Sequence, residues 1–187
     1  MKKLLVGLLG AAMIPFAAHA QDTTAPDGTT AFGFEPYVGV MGGYHEFDSD
    51  NRGQLTSNCG SGGCPDGGFI EGVVGANIPL GAFFVGAEGN AAKGFRGLDW
   101  EYGVWGRAGF RAGETGLIFG KVGYQWVNTD EPQGDDDDWA YGLGVEVGPE
   151  MVGMGGLTGM SGLRFRLEAS TFDFQSIRPS AGVILHF

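Results

Sequence analysis

Four groups of residues in this 187-residue chain carry side chains that could do chemistry. The densest charge is Asp135, Asp136, Asp137 and Asp138, with Asp130 and Glu131 just before. Clustered carboxylate oxygens suit a hard cation such as calcium or magnesium. The order lacks the Asp-x-Asp-x-Asp-Gly spacing of an EF-hand, so a solvated loop tip is the simpler reading and a weak cation bridge the sharper one. The only cysteines, Cys59 and Cys64, stand in Cys-Gly-Ser-Gly-Gly-Cys. No second pair or histidine cluster accompanies them, which argues against zinc. In an exported chain a disulfide is the expected state, a clip on one loop. Beyond the first twenty residues the histidines are His45 and His186. Acyl hydrolysis by His, Ser and a carboxylate needs the three in contact. No His-x-Ser pair exists, and the two histidines are expected at opposite rims of the fold, so no enzymatic role, catalytic residue or cofactor is expected. The fourth group is a set of charges at alternate positions: Glu71, Glu88, Glu101, Arg107, Arg111, Lys121, Glu146, Arg164, Arg166, Glu168 and Arg178.

Alternation is the property of the elements that must carry these groups. In the last twelve residues Ile177, Pro179, Ala181, Val183, Leu185 and Phe187 are apolar. Between them stand Arg178, Ser180, Gly182, Ile184 and His186. A period of two is a strand with two unlike faces. Eight such segments are predicted: Glu35–Phe47, Gly68–Ile78, Ala82–Lys93, Asp99–Ala112, Gly116–Asn128, Asp138–Gly148, Gly162–Phe174 and Ser176–Phe187. Each is near the length that a tilted strand needs to cross a bilayer. Pro79-Leu80-Gly81 and Gly113-Glu114-Thr115 read as tight turns. Asp48–Gly67 and Thr129–Asp137 read as long polar loops. The connection Pro149–Ser161, rich in Met and Gly, breaks this alternation of long and short joints.

The front of the chain indicates export. Lys2 and Lys3 precede an apolar run from Leu4 to Phe16, too short to span a bilayer, and Ala18-His19-Ala20 is a cleavage site. Residues 1–20 are read as a signal peptide, 21–34 as a flexible lead-in and 35–187 as one domain. Removing the signal leaves 9 basic against 22 acidic residues, a net charge of −13 that argues against nucleic acid as a partner. The chain has 37 glycines, but abundant Phe, Tyr and Trp argue against disorder. Glycine among aromatics in alternating strands fits a tightly curved sheet with a crowded interior.

The two faces differ in kind. One carries Trp100, Tyr102, Val104 and Phe110, then Ile118, Val122, Tyr124 and Trp126, then Trp139, Tyr141, Leu143 and Val145. Trp100, Trp126 and Trp139 fall at the loop ends of their strands; Phe83, Phe110 and Phe187 fall at the opposite ends. Two aromatic girdles bounding an apolar band describe a membrane barrel. The other face carries the eleven charges, which in a narrow interior must pair.

The fold class expected is therefore all-β, an eight-stranded antiparallel transmembrane β-barrel. On the stretches Glu101–Tyr124, Tyr141–Val147 and Leu163–Phe187, the chain resembles the small OmpA/OmpX-type barrels and the related opacity-type, porin-family surface proteins. The resemblance implies the outer membrane of a Gram-negative bacterium and a surface antigen or structural role. It implies outer-membrane lipid, lipopolysaccharide and the barrel-assembly machinery as partners, and it leaves any surface ligand unnamed. It also implies that Val183, Leu185 and Phe187 in the last strand serve as the assembly signal. Under it, the acidic run would bridge to lipopolysaccharide through a cation, and Arg52, Lys93 and Arg96 would meet its phosphates. A narrow OmpW-like channel is the second reading; it calls for an apolar lumen. A lipid-A-modifying enzyme and a soluble lipocalin-like barrel are the third and fourth.

Overall fold

In the computed structural model the residues described are 33–47, 67–95, 98–112, 116–129, 136–148, 162–174 and 176–187. They form eight strands: β1 (Glu35–Phe47), β2 (Gly67–Leu80), β3 (Phe83–Gly94), β4 (Leu98–Ala112), β5 (Gly116–Thr129), β6 (Asp136–Val147), β7 (Gly162–Phe172) and β8 (Ser176–His186). Each pairs antiparallel with its neighbours, and β8 returns to β1 to close the barrel. This topology agrees with the resemblance to the small OmpA/OmpX-type barrels. The signal peptide, the lead-in up to Phe32 and both cysteines lie outside the described residues, as do Arg52, Arg96, the Gly113–Thr115 turn and the connection from Pro149 to Ser161.

Strand ends differ from the sequence reading by two residues or more at three places, and by one residue at several others. β2 runs on through Pro79 and Leu80, where the sequence predicts a turn, and the bend falls at Gly81 (φ 72°) and Ala82. Its pairing with β1 ends at Asn77, so the N–H that Pro79 lacks is not missed on that side. β6 begins at Asp136, paired with Val127, not at Asp138. β7 stops at Phe172, because Asp173 and Phe174 adopt left-handed backbone (φ 46° and 57°) and reverse the chain.

Closure gives every strand an inner and an outer face. The outer face is apolar: Leu143 is 73% exposed, Ile177 66%, Val40 63% and Val74 60%. Trp100 and Trp139 are exposed at the loop end, while Phe83, Phe110 and Phe187 are exposed at the opposite or terminal end, where β1 begins and β8 ends. Tyr102 stacks on Trp126 (centroids 5.6 Å), and Tyr124 meets Trp126 and Trp139 edge-on.

The inner face is packed by setting large side chains against glycine. The Phe119 ring covers Gly144, and the Trp105 ring covers Gly123, so a Cβ at either glycine would collide with the ring. The lumen is not uniformly charged. Tyr37, Met41, Val73 and Ile184 form one buried apolar cluster, and Phe84, Leu117 and Phe119 form another at the terminal end. Guanidinium and ammonium groups lie over these and neighbouring rings: Arg107 over Phe119 at 3.9 Å, Arg178 over Phe69 at 3.8 Å and Lys121 over Trp105 at 4.1 Å. The seam between β1 and β8 has one irregularity. Its ladder runs from Tyr37↔His186 to Gly43↔Ser180 and resumes at Glu46↔Ile177, with Pro179 in the gap.

Candidate functional site

Strand parity sets which side chains enter the lumen. All eleven charges singled out in the sequence point inward, and all but Arg111 are nearly inaccessible to solvent. A twelfth, Glu35, is 3% exposed and accepts a hydrogen bond from Arg111 Nη2 at 2.6 Å. It shares the parity of Tyr37, Met41 and His45, which is the signal by which it could have been found. The lumen thus holds six carboxylates and six cationic side chains among the described residues, with His45 and His186 besides.

The charges gather in two layers. In the middle layer Glu88 meets Arg166 at 2.5 Å, Lys121 at 3.2 Å and Arg107 at 3.4 Å, and also accepts from the Tyr37 hydroxyl at 2.8 Å. Glu146 takes Arg107 and Arg166, each at 2.8 Å, through Oε1, and His186 at 2.8 Å through Oε2. Glu168 reaches Lys121 at 2.5 Å. Every carboxylate of this layer is touched by more than one cationic or imidazole group. Buried charges are tolerated only under such pairing, since an uncompensated one costs several kcal/mol, roughly 3–5 when a partner is removed.

The layer nearest the loop end is built differently. A single arginine, Arg178, serves Glu71 (3.1 Å) and Glu101 (3.0 Å). Neutral groups do the remaining work: Asn90 donates to Glu71 at 2.5 Å, Trp105 to Asn90 at 2.8 Å and Gln125 to Glu101 at 3.3 Å. His45 is held between two strands distant in sequence. Its Nδ1 lies 2.5 Å from Glu101 Oε1, and its Nε2 lies 3.1 Å from Ser176 Oγ. Ser176 also accepts the Phe172 N–H at 3.0 Å. The sequence carries no His-x-Ser pair, yet the barrel brings a serine, a histidine and a carboxylate into contact. The two histidines do lie at opposite ends, His186 beside Glu146 and stacked on Tyr37 at 5.2 Å.

The acidic run is partly visible. Asp135 lies outside the described residues; Asp136 to Asp138 lie in β6. Asp137 turns outward to accept from the Tyr124 hydroxyl, while Asp138 accepts from the Trp139 N–H at 2.6 Å. The strand therefore starts two residues earlier than the sequence predicts, and the reading of Asp136 and Asp137 as part of a loop tip is corrected. Among the described residues no group of three His, Cys, Asp or Glu side chains is placed to hold a metal ion. Lys93 lies over Trp100 at 5.3 Å, on the outer face. At the terminal end Val183, Leu185 and Phe187 face outward, and the Phe187 N–H donates to Pro36 O at 3.0 Å.

No protein-family profile and no curated protein matches the chain. Among solved structures it is similar to Neisserial surface protein A, with a TM-score of 0.48 and 12% identity over 82% of this chain and 97% of that one. It is also similar to the Yersinia pestis outer membrane protein Ail determined in a phospholipid bilayer nanodisc, with a TM-score of 0.43 and 14% identity over 83% of this chain and 100% of that one.

Proposed function

We propose that the chain is an outer-membrane barrel of a Gram-negative bacterium, with a closed lumen and a structural or surface-interacting role. One observation carries the reading: the barrel is inside out, apolar and aromatic on its outer wall and ionic within. In water the outer wall would be an aggregation hazard, whereas in a bilayer it is the face that lipid requires. Residues 1–20 direct export and are removed, and the oxidising compartment beyond closes Cys59 and Cys64 into a disulfide. Outer-membrane lipid and lipopolysaccharide surround the wall. Val183, Leu185 and Phe187 present the last strand to the assembly machinery.

An eight-stranded interior is only just wide enough for its own side chains. Here rings and ion pairs occupy it, which favours a plug over a channel. The test is reconstitution of the mature protein in a planar bilayer, together with its migration on an unboiled gel. Insertion, a heat-modifiable band and no steady conductance are expected. A large, stable conductance would promote the narrow-channel reading, and recovery of the mature protein from the soluble periplasmic fraction would remove the membrane reading. Deletion of Phe187 is expected to reduce insertion.

A further inference from the structure

We propose that Ser176, His45 and Glu101 form a nucleophile–base–acid triad at the loop-end mouth of the barrel, and that it hydrolyses carboxylic esters.

The order of atoms is the first argument. Glu101 Oε1, His45 Nδ1, His45 Nε2 and Ser176 Oγ follow one another, with contacts of 2.5 and 3.1 Å on the two sides of the ring. If Glu101 is ionised and the imidazole neutral, Nδ1–H donates to the carboxylate and Nε2 is left to accept the serine proton. This is the tautomer that makes histidine a base toward a hydroxyl. Glu101 is fixed by Arg178 Nε and by Gln125, so it acts as a positioning residue for the ring. Ser176 and His45 would be the groups that touch substrate.

Placement is the second argument. Ser176 opens β8 directly after the Asp173–Phe174 reversal, and His45 lies two residues from the end of β1. The hydroxyl therefore stands in the outermost layer of described luminal side chains, away from the plug below. A further donor stands in the same layer. Arg178 is 2% exposed, follows Ser176 by two residues on the same face of β8, and has an Nη1 with no hydrogen-bond partner among the described residues. An unspent guanidinium N–H near a serine–histidine pair is suited to the negative charge that develops on a carbonyl oxygen.

The reaction balances without any further cofactor. Ser176 Oγ attacks the ester carbonyl carbon as its proton moves to His45 Nε2. The C–O bond to the leaving group breaks, and His45 returns the proton to release the alcohol. Water then attacks the acyl-serine with His45 again as base, releasing the carboxylic acid and restoring Ser176. The ester could be a soluble metabolite or an acylated lipid of the surrounding leaflet; both offer the same bond.

The test uses the folded full-length barrel in detergent micelles, treated with a fluorophosphonate probe and mapped by mass spectrometry. A single adduct on Ser176 is expected, absent in Ser176→Ala, and slowed by about 100-fold or more in His45→Ala, since loss of the base removes the activation of the hydroxyl. Glu101→Gln is expected to slow labelling less. Ser176→Ala leaves the His45–Glu101 contact in place, so it stays informative if the other two variants do not fold. Turnover of p-nitrophenyl butyrate would indicate a soluble ester, and turnover only of a long-chain phospholipid in mixed micelles a lipid one. No adduct on the folded barrel, or an adduct without turnover of either ester, overturns the proposal and leaves the three residues as a lock between β1, β4 and β8.

Discussion

The middle and outer layers of the lumen solve the same problem in opposite ways. Both hold carboxylates that are nearly inaccessible to solvent. In the middle, Glu88 and Glu146 each touch several cations, and Arg107 and Arg166 each span both carboxylates. Near the loop end one guanidinium spans Glu71 and Glu101, and neutral amides, an indole and an imidazole complete the set. Redundancy makes the middle layer tolerant of any one loss. Economy of charge makes the outer layer depend on Arg178, while leaving it groups that are free of a purely ionic duty.

That difference ranks the effects of substitution. Arg178→Ala is expected to be the most damaging, because it strands two carboxylates at once; a loss of about 3–5 kcal/mol is expected. Urea unfolding, followed by the heat-modifiable band, would measure it. Adding Glu71→Gln to that variant should recover part of the loss. Arg166→Ala should cost less, about 1–3 kcal/mol for charge-assisted bonds whose carboxylates keep other partners. If Arg166→Ala proved the more damaging of the two, the contrast between redundant and single-arginine layers would collapse. Replacing Glu88 and Glu146 together by alanine removes both hubs of the middle layer. A rise in bilayer conductance is expected there, and none from changes confined to His45 or Ser176. Ser176→Ala is the mildest, near ~1 kcal/mol for a neutral hydrogen bond; its effect should be read in reactivity and scarcely in stability.

Much of this arrangement is legible in the sequence, because a strand has period two and a closed barrel has only an inside and an outside. Once parity is assigned, Arg107, Lys121 and Arg166 must share the lumen with Glu88 and Glu146. Parity does not give height along the axis or the partner across the lumen. His45 and Glu101 are 56 residues apart, and His45 and Ser176 are 131 apart. Their contact follows from closure and register, neither of which is written in local spacing. Glu35 escapes notice because it begins its strand, where alternation has only just started. The apolar luminal clusters are obscured by the charges between them, although Tyr37, Met41, Val73 and Ile184 all stand at inward positions. Pro79 and Asp136 mislead for a shared reason: both are poor strand formers that an adjoining strand nevertheless holds.

The interrupted ladder at Pro179 gives the circumference a preferred place to breathe. Every other seam is an unbroken ladder apart from a register shift at the Leu98 end of β4–β5. Between Gly43↔Ser180 and Glu46↔Ile177 the β1–β8 ladder already has a gap. Local opening begins where a row of amide bonds is already interrupted inside the wall. Amide deuteration should therefore enter the wall first along this stretch of β1 and β8, and reach the longer β4–β5 pair last.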